Sequence, residues 1–483
     1  MEWFSTEGYW VSRLVFQRGL ALVYLVAFLT AALQFRALFG QQGLTPAPRH
    51  LRATSWRQAP SLFRLHYSDR FFAAVAWTGV GVSAALLVGL GDELPLAAHM
   101  AVWAVLWVTY LSIVHVGQVW YGFGWESLLC EVGFLAVFLG PSAGSDAAAP
   151  PLLILLALRW VLFRVEFGAG LIKLRGDSCW RDLTCLQYHH ETQPMPNPLS
   201  WYFHRLPPRL HKVEVAANHV TQLGMPVLLF LPQPIAGIAA GVVIVTQAWL
   251  MLSGNFSWLN LLTIVLALPV LGDGFWRAVW PVSVPADMPD APLWHQVTVI
   301  VVAVGVIVLS YWPVRNLVSR RQLMNYSFTP LMLVNTYGAF GSITRTRYEI
   351  VLEGTDDADV GPATPWREYE FKGKPGDVRR RPPQVAPYHL RLDWLMWFAA
   401  LSPAYARPWF EPLLVRLLEN DRATLRLLRH NPFADRPPVY VRASYYRYRF
   451  TSWAERRRTG AWWERTYVGE YHPPTSLPSA RQT

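Results

Sequence analysis

Apolar residues along this chain gather into blocks of roughly 20 as far as about residue 312, the length an α-helix needs to cross a ~30 Å hydrocarbon layer. In lipid a span must satisfy its backbone groups internally, so the pattern predicts a polytopic α-helical membrane bundle. Counting blocks gives about nine transmembrane helices, at 11–35, 71–91, 96–116, 118–140, 150–172, 213–232, 234–253, 255–272 and 294–312. The spans that follow residue 212 succeed one another so closely that their turns must be short, which makes them antiparallel neighbours.

From Pro313 the periodicity changes. Tyr348, Ile350 and Leu352 alternate with Glu349 and Glu353, and Tyr369 and Phe371 with Glu368 and Glu370. A period of two predicts half-buried β-strands. Further on, Tyr446, Tyr448 and Phe450 share one face and Arg447 and Arg449 the other, WWERTYVGEY supplies a last strand, and helical patches lie near 389–401 and 408–429. The expectation is a membrane domain over 1–313 with a structured loop at 173–212, then a glycine-containing connector at 314–344. A soluble α+β domain with a small antiparallel sheet follows over 345–472, and a disordered tail over 473–483.

A hydrophobic content of 53% in 483 residues suits one large apolar domain with a smaller companion. The 24 tryptophans and 20 tyrosines fit the lipid–water boundary, where amphipathic rings settle. A formal charge of +11 would suggest nucleic acid in a soluble protein. Here the basic residues flank apolar spans and meet anionic headgroups, so membrane lipid is the expected partner and nucleic acid is not. Arginine supplies nearly all the cations, a bias that points to a GC-rich, bacterial genome. Cys130 lies in an apolar block as inert filler. Cys179 and Cys185 share a loop and bridge if that loop faces an oxidising compartment.

One stretch departs from the pattern. Residues 159–206 begin as an apolar helix carrying Arg159, Arg164 and Glu166, then leave through Lys173 into a polar segment rich in histidine and aromatic residues. Ionisable groups inside hydrocarbon cost several kcal/mol, so these three, with Glu126 and Glu131 of the fourth block, need partners or water. Arg159 and Glu166 share a helix face. With Lys173 they either line a polar cavity or lock helices together through salt bridges. Lys173, His189, His190 and Glu191 are the candidates for acid–base chemistry, since imidazole titrates near neutrality. Adjacent histidines point differently, and neither they nor the cysteines show metal-site spacing, so a hydrogen-bonded clamp is the favoured reading and no metal or cofactor is expected. The prolines of PMPNPLSWYF restrict φ. With Trp180, Trp201, Tyr202 and Phe203 they build a stiff aromatic surface, suited either to a client chain or to the chain's own C-terminal domain.

Four crossings separate the fifth block from the end of the last, so the cysteine loop and the C-terminal domain should share one side of the membrane. Arginine clusters at 36–70, 173–212 and 315–321 assign that side to the cytoplasm by the positive-inside rule, where thiols stay reduced.

The segments YGFGWESLL (121–129), FGAGLIKLRGDSCWRDLTCL (167–186), YHHETQPMPNPLSWYFHRLP (188–207), SGNFSWLNLLTI (253–264) and LVNTYGAFGSITR (333–345) resemble the lipase maturation factor family, over most of the chain. The resemblance implies a polytopic protein, of the endoplasmic reticulum membrane in animals, that assists folding and assembly of secreted homodimeric lipases. It puts the cysteine loop and the C-terminal domain on the lumenal side, against the charge rule. For a bacterial-type member it implies the cytoplasmic membrane and leaves the client open. A more distant likeness to the membrane domain of vitamin K-dependent γ-carboxylase rests on a polar loop with Lys and His after a buried helix, and no catalytic residue is carried over from it. The expected function is a non-enzymatic folding or assembly factor whose partners are membrane lipid and a secreted lipase or similar exported client. The alternative is a membrane enzyme, γ-carboxylase-like or lipid-modifying, using a cavity of Arg159, Glu166, Lys173, His189 and His190.

Overall fold

A computed structural model describes residues 4–282, 284–285 and 288–477. Helix α1 (Trp10–Leu38) is the post around which the N-terminal region packs, with Phe16, Leu20, Tyr24, Phe28 and Phe35 all buried. These lie on the face turned to the other helices, while Leu22 and Leu33 on the opposite face are exposed and apolar, as a helix at the edge of a membrane bundle requires. Helix α2 (Asp69–Leu87) lies along α1, and Gly79 makes the approach possible: a Cβ there would stand 2.3 Å from the Phe28 ring. The remaining main helices are α3 (Leu96–Val116), α4 (Gly124–Ala136), α5 (Leu152–Arg175), α6 (Pro208–Leu223), α7 (Ile235–Ser253), α8 (Leu259–Ala267) and α9 (Leu293–Leu309).

Among the described residues, five helices are long and apolar enough to cross a membrane: Glu7–Leu38, Asp69–Leu87, Leu96–Val116, Ile235–Ser253 and Leu293–Val318. A sixth is counted if Leu259–Val270 and Asp273–Val279, bent by 108°, form one broken span. The expected nine are not reached, because a hydropathy block records apolar residues and not whether the backbone runs straight. The block at 118–140 opens with a 3-10 turn and yields the 13-residue α4. The block at 213–232 is divided at Gly224 between α6 and a short helical turn. Helix α5 is long enough at 24 residues but carries Arg159, Arg164, Glu166 and Lys173.

The C-terminal domain holds β1 (Arg347–Thr355), β2 (Arg367–Glu368), β3 (Glu370–Phe371), β4 (Leu428–His430), β5 (Tyr440–Phe450) and β6 (Trp463–Thr475). Four of these make an antiparallel sheet in the order β2-β1-β5-β6, and β3 pairs with β4. Strand β5 keeps the expected alternation, with Tyr448 and Phe450 buried and Arg447 and Arg449 exposed. Strand β1 does not. Predicted half-buried, it is paired along both edges, by β2 and β5, and covered on both faces, beneath the polar loop on one side and against helix α10 (Arg391–Leu401) on the other. Its carboxylates are therefore buried with partners: Glu349 beside Arg347 and Lys374, Glu353 beside Arg442 and Ser444. Strand β6 continues through Pro473 to Thr475, past the expected start of the tail, and residues 478–483, on which the rest of that expectation falls, lie outside the described residues.

The two domains are joined by buried polar contacts. Arg391, at the start of α10, pairs with Glu126 of α4 at 2.7 Å, donates to the Trp120 carbonyl and lies 3.4 Å above the Tyr121 ring. The Tyr110 hydroxyl donates to the other oxygen of Glu126. Arg391→Ala leaves that carboxylate buried without its cation, a loss of about 3–5 kcal/mol. Thermal unfolding in detergent should show a midpoint well below the wild-type value, with Arg391→Lys between the two; an unchanged midpoint would mean that the pair does not hold the domains together.

Candidate functional site

The chain leaves α5 through Gly176, which abuts the connector so closely that a Cβ would stand 2.1 Å from the Gly341 carbonyl oxygen. Asp177 then caps the turn Ser178–Arg181 by accepting from the Cys179 N–H, and the Arg345 guanidinium 2.7 Å away holds the Asp177 carboxyl below its ordinary range. Cys179 and Cys185 are joined as a disulfide, their Cα atoms 4.8 Å apart. A short helix, Leu186–Thr192, carries the histidines, and the prolines lead into Ser200–His204.

This loop is fastened to the C-terminal sheet. All five N–H groups of a guanidinium can donate, and those of Arg347 do: to Glu349 and to the main-chain carbonyls of Glu191, Gln193 and Pro194. Trp201, fully buried, donates from its indole to the Thr451 carbonyl and packs against Trp453 and Trp462. The Glu191 carboxylate accepts from the Phe450 N–H, and burial raises its pKa. Asn255, in a sequon-like triplet, is buried and bonds the Pro196 and Pro383 carbonyls and the Val385 and Ala386 N–H groups.

The charges inside the bundle divide into two sets. Arg164 pairs with Glu131 and donates to the Asn335 carbonyl, while Glu131 accepts from the Asn335 N–H at 3.0 Å and the Tyr337 hydroxyl at 2.6 Å. This set anchors the connector into the bundle. Arg159 stands apart, bonded to the Leu229 carbonyl and the Tyr9 hydroxyl, and does not join the cavity expected of it. Glu166 and Lys173 do line a cavity, of about 910 Å³, together with His189 and His190. There Gln247 donates to Glu166 at 2.6 Å, and Lys173 donates to Asn218 and Gln222 at 2.9 and 2.7 Å. Trp180 lines the cavity with its ring 4.9 Å from the Lys173 ammonium.

The two histidines do face differently: His189 stacks on Phe256, and His190 packs against Phe203 and His211. Burial pushes His189 down to about 3 and His190 well below the usual imidazole range, so both are neutral. His190, His211 and Glu214 offer nitrogen and oxygen atoms within 4.8 Å of one another, two imidazoles and a carboxylate that could take a zinc-like ion. Phe203 contacts Trp249, while Tyr202 is 39% exposed at the rim.

Arg347, Arg391, Asn335, Tyr337 and Gln247 were not singled out from the sequence, and Asn255 stood out there only as a sequon-like triplet without expected consequence. Arg347 carried a signal, since it is in phase with Glu349 and Glu353 on one strand face; the asparagines and the glutamine carry none without their neighbours in space.

The family profile for the lipase maturation factor transmembrane domain matches residues 11–278, and that for the lipase maturation factor C-terminal domain matches 333–473. The chain is 42% identical to lipase maturation factor 1 of Bos taurus, over 98% of this chain and 90% of that protein. It is also 42% identical to lipase maturation factor 1 of Homo sapiens, over 99% and 90%. Lipase maturation factor 2 of Mus musculus is 31% identical over 97% of this chain and 83% of that protein. These relatives are vertebrate proteins, and neither the bacterial reading nor the likeness to γ-carboxylase gains support from them. No solved structure matches the chain.

The buried histidines set a pH dependence. Unfolding returns each to an ordinary pKa near 6.5, whereas burial holds His189 at about 3 and His204 at about 4. Above 6.5 they are neutral in both states and contribute no slope. Below it the unfolded chain takes up protons the folded chain refuses, so stability falls as pH drops from 6.5 towards 4, by up to about 1.4 kcal/mol per pH unit for each histidine. Melting curves between pH 7 and 4 should show this fall, flattened in His204→Gln; a parallel slope in that variant would remove His204 from the account.

Proposed function

The chain belongs to the lipase maturation factor family, and from that membership we propose that it is a membrane-embedded factor promoting folding or assembly of secreted lipases by binding them, without chemistry of its own. The observation that carries this is identity of 42% along 98% of the chain. The transmembrane-domain match and the apolar helices make it an integral membrane protein. The Cys179–Cys185 disulfide favours the oxidising side of that membrane for the loop and, through Arg347 and Trp201, for the C-terminal domain fastened to it. In an animal-type cell that side is the lumen of the endoplasmic reticulum.

For the client surface we favour the exposed rim of the platform over its buried centre. Trp201 is committed to the chain's own domain, but Tyr202 and Trp453 stand 6.0 Å apart at their ring centres, 39% and 50% exposed. Aromatic rings of this kind bury large area at small entropic cost and suit an incompletely folded partner. The charged residues support binding more than catalysis, because Arg164 and Glu131 are spent on holding the connector.

The test is secretion from cells lacking their own maturation factor that express a secreted homodimeric lipase. The wild-type chain should raise secreted lipase activity several-fold, and Tyr202→Ala with Trp453→Ala should lower it at unchanged levels of the chain. No rise with abundant chain in the membrane would overturn the reading.

A further inference from the structure

We propose that the cavity beneath the polar loop is a binding site for a neutral single-tailed lipid with a hydroxyl-bearing head, of the monoacylglycerol class. Its volume of about 910 Å³ lies within the ~300–1,000 Å³ typical of small-molecule sites, and such sites are largely apolar with a few convergent polar groups. The walls come from α5, α6, α7 and α8 of the membrane domain and, across the junction, from the connector and α10. Aliphatic and aromatic side chains such as Val165, Val245, Phe256 and Trp394 dominate them, which suits a hydrocarbon tail.

The polar groups define the head. Glu166, Lys173, Gln222 and Gln247 form one patch on adjoining helices, Gln222 bonding Lys173 and lying within reach of Glu166. Within it the Glu166 Oε2 atom is buried and has no hydrogen-bond partner, although the residue is only 1% exposed. A buried acceptor left unpaired costs about 1–3 kcal/mol, so a donor belongs beside it. A carboxylate and an ammonium in the patch offset each other, so the pair does not call for an ionic head. A carboxylate or phosphate would also be set against Glu166. His190, 2% exposed and with neither ring nitrogen hydrogen-bonded, lines the same cavity. A glycerol ester supplies what these groups lack: hydroxyls that donate to Glu166, a second hydroxyl and a carbonyl for His190, and no charge. The proposal goes beyond the maturation reading and is tested by a different readout, lipid binding in place of lipase secretion.

The experiment is equilibrium binding of tritiated mono-oleoylglycerol to the purified full-length chain in detergent, with unlabelled oleate as competitor. The expected result is saturable binding of one lipid per chain. Glu166→Leu should weaken it about tenfold or more, as befits a lost hydrogen bond to a carboxyl group, and Ala169→Trp should abolish it by filling the cavity, with oleate competing at least about tenfold less well than mono-oleoylglycerol. As a readout that does not depend on either variant folding, the lipid is also added to wild-type protein, whose melting temperature should rise. Binding that does not saturate, a wild-type melting temperature that does not move, or oleate competing as well as the glycerol ester would each overturn the proposal.

Discussion

The guanidinium of Arg347 is the constraint on which the rest depends. It sits at the start of the central pair of strands, fully buried, and its donors are divided between Glu349 on its own strand and the carbonyls of Glu191, Gln193 and Pro194 in the loop leaving α5. Carbonyls in an irregular, buried segment would otherwise lack partners, and an unpaired guanidinium would be costlier still. Neither half is satisfied without the other. The loop is thereby a part of the C-terminal domain in all but sequence, while its two ends remain helices of the membrane domain.

Other buried ions repeat this solution at different depths. Arg164 and Glu131 hold the connector through Asn335 and Tyr337, and Arg391 with Glu126 holds α10. In each pair both carboxylate oxygens are hydrogen-bonded: those of Glu131 by Arg164, Asn335 and Tyr337, those of Glu126 by Arg391 and Tyr110. The outcome is a stiff polar layer between an apolar bundle and a soluble sheet, with the large cavity left at the junction where helices, loop and α10 meet. On the function proposed above, a platform held in this way presents its rim aromatics without first having to order them, which would lower the entropic cost of holding a client.

Much of this was legible in the residue pattern. The alternation in β5, the apolar helices of the N-terminal region, the small C-terminal sheet and the family motifs all follow from periodicity or from long contiguous matches. What was not legible has specific causes. Block counting gives more spans than the described helices that are long and apolar enough, because α4 starts late, α6 stops at Gly224 and α8 leads into a bend of 108°. Strand β1 was read as half-buried because alternation of charge cannot distinguish a face open to water from one capped by another segment carrying carbonyls. Arg159 and Arg164, five residues apart on one helix, looked alike in sequence and have unrelated partners, since what decides their roles is which distant carboxylate or carbonyl the fold brings near.

The most direct measurement of the central claim, that loop and C-terminal domain form one unit on one face of the membrane, is a cross-link across their junction. Tyr202→Cys and Trp453→Cys, whose native rings lie 6.0 Å apart, would be treated with a short bis-maleimide in sealed membrane vesicles. The chain would then be cut at a protease site inserted in the exposed turn at 356–364. The account predicts that the two fragments remain joined and that an impermeant thiol reagent reaches both cysteines from the same side. Fragments that separate, with the two cysteines labelled from opposite sides, would contradict it.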